Sequence, residues 1–92
     1  MLYAAKCYWP EVTEAELERA AARASGDKRS GYLGSLLFPG DKLVLCLFDA
    51  PSRAAVKHAS ERARIPCERV MESRWLAPPK RQGEERSKPC AS

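Results

Sequence analysis

The sequence predicts an α+β chain with its elements in the order β-α-β-β-α-β. Three observations predict it. Two helical stretches each open on a hydroxyl cap, an apolar hairpin pattern lies between them, and strand-like runs flank both. At 92 residues the chain has the size of one domain. Its 45% hydrophobic and 30% charged residues match a folded globular protein. With a mean hydropathy of −0.47, no run approaches the roughly 20 apolar residues of a membrane span, so no membrane partner is expected.

The first strand runs from Leu2 to Trp9, apolar and aromatic apart from Lys6, and stops at Pro10. Thr13 and Glu16 then form a capping box, in which the hydroxyl and the carboxylate each satisfy an amide of the first turn. Glu14, Glu16 and Glu18 suit the positive end of this helix. Leu17, Ala20, Ala21 and Ala24 recur at helical spacing, and Gly26 is expected to close it. The second strand spans Tyr32 to Phe38, and Pro39-Gly40 has the composition of a type II turn into a third strand, Lys42 to Phe48. Ser52 is the expected cap of the second helix, whose apolar stripe is Ala55, Val56, Ala59 and Ala63. Ile65-Pro66 breaks that helix, a fourth strand follows from Glu68 to Leu76, and Pro78-Pro79 ends the folded part.

This order is the split β-α-β arrangement of a ferredoxin-like sandwich. Right-handed crossovers place both helices on one face of a four-stranded antiparallel sheet. Strands one and three are expected in the middle, side by side and parallel. The third strand, Leu43-Val44-Leu45-Cys46-Leu47-Phe48, is apolar at both parities. Alternate residues of a strand face opposite sides, so one set remains on the face the helices do not cover. Each such side chain left in water forgoes roughly 1.5–3 kcal/mol. The expected cover is a second copy of the sheet, which makes the protein a homodimer.

The net charge is +4. The domain is expected to span residues 1–77, and residues 78–92 to form a basic, disordered tail. There Lys80, Arg81, Arg86 and Lys88 outnumber Glu84 and Glu85. Four scattered cations give only weak, salt-sensitive attraction to phosphates, which argues against nucleic acid as a partner. The opening MLYAAKCYWP lacks the basic start and apolar stretch of a secretory signal, so a cytoplasmic location is expected. Cys7, Cys46, Cys67 and Cys90 contain no CxxC pair and read as free thiols. Cys7 and Cys46, on adjacent strands, could be neighbours.

His58 is the only histidine and lies off the apolar stripe of the second helix. Imidazole binds borderline metals, and Asp49 or a facing subunit could complete a site. Two thiolates and a histidine would suit nickel or zinc. GxSxG, a glycine-rich phosphate loop and HExxH are all absent, so no catalytic constellation stands out. Trp9 and Trp75 read as packing residues at the sheet ends.

The segment Cys46-Leu47-Phe48-Asp49-Ala50-Pro51-Ser52 carries a resemblance. It continues through Ala55-Val56-Lys57-His58, Arg62-Ala63 and Ile65-Pro66-Cys67-Glu68-Arg69-Val70, with Trp9-Pro10, Tyr32 and Ser35 ahead of it. These residues resemble the small bacterial nickel-binding, ferredoxin-like family long known only as a domain of unknown function. The resemblance implies a ferredoxin-like protomer, a dimer of the α/β-barrel type and nickel binding without catalysis. The chain departs from the family pattern at Lys6-Cys7, where Glu-Arg is usual, and at His58, one position before the family's histidine. His58, Cys46 and Asp49 are the expected metal ligands, and nickel the expected ion. The alternatives are a dimeric α/β-barrel enzyme of the monooxygenase or isomerase type, with an enclosed polar pocket holding Asp49 or His58, and a dimeric regulatory or scaffold protein.

Overall fold

The computed structural model describes residues 1–76, so the expected tail at 78–92 lies outside the described residues. The elements are β1 (Leu2–Tyr8), α1 (Glu14–Gly26), β2 (Tyr32–Phe38), β3 (Leu43–Asp49), α2 (Arg53–Arg62) and β4 (Cys67–Ser73). The order β-α-β-β-α-β is the predicted ferredoxin-like one. Both helix starts are capped as expected. Thr13 Oγ accepts from the Glu16 amide while the Glu16 carboxylate accepts from the Thr13 amide, both at 3.1 Å. Ser52 Oγ accepts from the Ala55 amide at 3.1 Å.

The four strands form one sheet in the order β2-β3-β1-β4. All three pairings are antiparallel, which corrects the expected parallel run of β1 and β3. The crossover through α1 makes β2 follow the direction of β1, and the hairpin then reverses β3. The barrel form is also corrected. Among the described residues β2 and β4 are free edges separated by two strands, and the sheet stays open. A closed barrel needs roughly eight strands before side chains can fill its interior, far more than this chain supplies.

Smaller differences have local causes. Pro39–Asp41 is a single 3₁₀ turn, and the left-handed step falls on Lys42 (φ 54°) rather than Gly40. Proline at the first position of such a turn has its φ already set. Gly26 is the last residue of α1 rather than a left-handed cap. β4 ends at Ser73, so Trp75 stands outside it and is exposed. Among the described residues no helix is long and apolar enough to cross a membrane.

The core lies between the sheet and the two helices. Cys7, Val44, Cys46 and Phe48 of the central strands are wholly buried against Ala20 and Ala24 of α1 and Val56 and Ala59 of α2. The alanines let both helices sit close to the sheet. Asp27, which caps the end of α1, ties the helices together by accepting from Arg62 of α2. Arg23 Nε donates to the Ala63 carbonyl at 2.8 Å.

The Arg62 hydrogen bond, helped by the Arg29 amide, holds the Asp27 carboxyl below the usual carboxylate range. A depressed folded value contributes stability above the unfolded value and loses it as pH falls through the folded one. Asp27→Asn is therefore expected to lower the urea midpoint near about pH 7 and to converge on the wild type in strong acid. A midpoint difference that does not change with pH would show that Asp27 acts only through shape.

Among the described residues nothing covers the opposite sheet face. The register sets Leu36 beside Leu45, and Phe38 beside Leu43. Leu36 is 54% exposed, and Leu43, Leu45 and Leu47 are half-buried. The two-sided apolar character read from β3 is thus real in the fold: Val44, Cys46 and Phe48 take the core side and the leucines the other.

Candidate functional site

The three expected ligands occupy different parts of the molecule. Cys46 is in the middle of β3, wholly buried on the helix side of the sheet. Asp49 ends β3 and is exposed, and its carboxylate pairs with the Met1 ammonium at 2.9 Å. His58 is exposed in the middle of α2. Among the described residues no group of three or more His, Cys, Asp or Glu side chains is placed to hold a metal ion.

The structure instead brings together three thiols. Cys7 pairs directly with Cys67 across β1 and β4, and with Val44 across β1 and β3. Cys46, two residues from Val44, is therefore a diagonal neighbour of Cys7 on the same buried face. All three are free thiols. That Cys7 and Cys46 stand on adjacent strands is legible in the sequence, but that they meet is decided by the β1–β3 register. The place of Cys67 depends in the same way on the β1–β4 register, which shifts between Lys6 and Cys7. Pro66 is the one signal available, since it sets where β4 can begin.

A chain of hydroxyls leads into this group. Tyr32 Oη and Ser35 Oγ are 2.5 Å apart, and Ser35 Oγ donates to Cys46 Sγ at 3.1 Å. Cys46 is the acceptor of its pair: hydrogen bonding from the Cys7 thiol, with help from Ser35, pulls its pKa down against the effect of burial. Cys7 goes the other way. Its position beside Cys46, and then burial, push its pKa far up and hold it as a thiol, with the Ala5 carbonyl 3.5 Å from its sulfur. Burial likewise raises Tyr32, which stays a phenol. Cys67 is half-buried, and burial outweighs the opposing effects of the Arg69 backbone, Ser60 and Lys57, so its pKa also rises. Beside it, the Ser60 hydroxyl is wholly buried and has no hydrogen bond of ordinary geometry among the described residues.

Tyr32 and Ser35 also line a cleft of about 420 Å³ between α1 and β2, floored by Leu17 and Leu37 and flanked by Glu14 and Glu18. It is open to solvent rather than enclosed, and neither Asp49 nor His58 lines it. The enzyme alternative called for an enclosed pocket holding one of them.

The described residues define a small ferredoxin-like α+β sandwich with a thiol-lined core face and, on the other side of the sheet, an apolar face that none of them covers. The profile of one family, described as "Nickel responsive protein SCO4226-like", matches residues 6–72, and the chain belongs to that family. The description is of a metal-responsive family and not of a catalytic one. Among solved structures, the chain is similar to the crystal structure of SCO4226 from Streptomyces coelicolor A3(2), with a TM-score of 0.72 at 20% identity. The likeness covers 84% of this chain and all of the other, and it shows the shared fold. Comparison with curated proteins gives no match.

Proposed function

We propose that this chain is a small, non-catalytic nickel-responsive protein that binds the divalent ion and acts as a homodimer. The observation that carries the reading is the family match, which spans β1 to β4. The described residues of one chain do not supply a closed three-donor nickel site. His58 is exposed to an incoming ion, and imidazole suits nickel. Asp49 is exposed as well, but would first give up the Met1 ammonium. Cys46, the third expected ligand, reaches an ion only if the core opens, because its side chain is wholly buried. The remaining positions around the ion are left to water or to a second copy. The homodimer is supported by the apolar face of β2 and β3, which a twofold copy of itself can cover.

Calorimetric titration of untagged protein with nickel tests this, a polyhistidine tag being itself a nickel ligand. The expected result is saturable heat for the wild type and binding at least about tenfold weaker for His58→Ala, the size of effect that loss of one partner in a metal site produces. No heat above buffer would remove the nickel reading, and undiminished binding by His58→Ala would remove His58 as ligand. Sedimentation of the same sample is expected to give twice the chain mass. A single-chain mass at every concentration would remove the homodimer.

A further inference from the structure

Cys7, Cys67 and the buried Ser60 hydroxyl have no part in that reading. We propose that Cys67 and Cys7 form a peroxide-responsive dithiol, in which Cys67 is oxidised first and Cys7 closes a reversible disulfide across β1 and β4. The inference is independent of nickel binding.

Three features of the molecule carry it. The first is register. Cys7 and Cys67 are direct partners where the β1–β4 register shifts, and direct partners in a regular antiparallel pair have Cα atoms roughly 4.5–5.5 Å apart. That lies inside the roughly 4.4–6.8 Å that a disulfide spans. Cys46 is diagonal to Cys7, and diagonal partners lie roughly 7–8 Å apart, so the same bridge to Cys46 requires backbone movement.

The second is access. Cys67 is half-buried at the start of an edge strand, whereas Cys7 and Cys46 are wholly buried. A small hydroperoxide therefore meets Cys67 first, and Cys7 is protected from it until Cys67 has reacted. The third is Ser60. Its hydroxyl sits buried beside the Cys67 sulfur, a weak partner, and has no hydrogen bond of ordinary geometry among the described residues, an arrangement that costs free energy in the reduced protein. An oxygen added to that sulfur gives the hydroxyl an acceptor.

The chemistry balances with hydrogen peroxide as oxidant. The Cys67 thiolate attacks one peroxide oxygen, the S–O bond forms as the O–O bond breaks, and the departing hydroxide takes up a proton to become water. The product is a sulfenic acid whose oxygen accepts from Ser60 Oγ. The Cys7 sulfur then attacks the Cys67 sulfur; the S–S bond forms, the S–O bond breaks, and the leaving hydroxide takes the Cys7 proton as a second water. Two thiols lose two electrons in all, and the peroxide gains them. A dithiol reductant reverses the bridge by exchange. Because burial raises the Cys67 pKa, the thiolate is the minor form at neutral pH, and the first step is expected to speed up as pH rises.

The test is mass mapping of the folded, full-length chain after hydrogen peroxide, quenched by alkylation in acid and digested with trypsin. The expected product joins peptide 7–19 to peptide 65–69, with Cys46 alkylated in peptide 43–53. In Cys7→Ala, whose smaller side chain fits the site, dimedone is expected to trap the sulfenic acid on peptide 65–69. The trapped yield is expected to fall several-fold when Ser60→Ala is added. A bridge from Cys7 to Cys46, a bridge through Cys90, or three core thiols that all remain alkylatable would each overturn the proposal. Should Cys7→Ala fail to fold, the wild-type bridge decides alone. A dimedone yield that ignores Ser60→Ala removes Ser60 from it.

Discussion

Gly31→Ala is expected to cost roughly 3 kcal/mol or more of stability, or to prevent folding outright. Gly31 joins α1 to β2 with φ +67°, a conformation that L side chains adopt at a cost. Space is the larger obstacle. A Cβ there would lie 1.9 Å from the Asp49 carbonyl oxygen and 2.9 Å from its carbon, both backbone atoms that no rotamer change can move. The Gly31 carbonyl meanwhile accepts from the Asp49 amide at 2.8 Å, so the two segments cannot separate without losing that bond. The next amide, Ala50, donates to the Met1 carbonyl at 2.9 Å, and a shift at Asp49 would reach the start of β1.

The control is Gly26→Ala. Gly26 is helical with open space where a Cβ would stand, and alanine there is expected to gain roughly 0.5–1 kcal/mol. Urea unfolding of the two variants checks the contrast. A Gly31→Ala protein as stable as the wild type would mean that the end of β3 yields freely.

Phe48→Ala carries the second largest expected loss. Phe48 is the largest of the fully buried side chains, and the next in size are valines, cysteines and a serine. Its ring meets Tyr32 edge to face, with centroids 5.6 Å apart and planes at 65°. Truncating a buried phenylalanine costs roughly 3–5 kcal/mol, because the transfer energy is lost and a cavity remains. The alanines of α1 and α2 are too short to move in and fill it. A domain of this size has only about 5–15 kcal/mol in all, so the variant is expected to unfold at much lower urea and temperature. Phe48→Leu, which keeps most of the volume, is expected to lose less than half as much. A loss below about 1 kcal/mol for Phe48→Ala would show that the core collapses around the gap.

Both positions bear on function through one strand. β3 carries Phe48 and Cys46 on its core side, Leu45 and Leu47 on its open side, and Asp49 at its end. Loosening its anchorage would disturb the thiol group, the apolar face and the Asp49–Met1 pair together. Nickel titrations on variants of β3 therefore need a parallel measure of folding before a lost heat is read as a lost ligand.

Where a feature depends on near neighbours in the chain, the residues display it. Thr13 and Glu16 are three apart and meet as a capping box, and Ser52 stands one residue ahead of its helix. The alternation in Leu43 to Phe48 is enough to reveal two apolar faces. The Pro39-Gly40 turn is harder to read, because proline and glycine permit several tight turns. The sheet geometry selects a 3₁₀ turn with Lys42 left-handed. The close approach of Gly31 to Asp49 has no local signature, since the two lie eighteen positions apart in the sequence.

The expected ligands show the same division. That His58 is exposed and off the apolar stripe is a statement about one helix, and the residues of that helix suffice for it. How His58, Cys46 and Asp49 stand toward one another is a statement about the packing of separate elements, and the fold sets them apart. By itself the sequence determined the six elements, the N-terminal caps of both helices and the two apolar sides of β3, because these follow from hydrogen bonds and periodicities a few residues long. Only the tertiary structure decided strand direction, the open sheet and the meeting of Cys7, Cys46 and Cys67. Register between distant strands is set by the best total burial, and no short stretch of chain contains that sum.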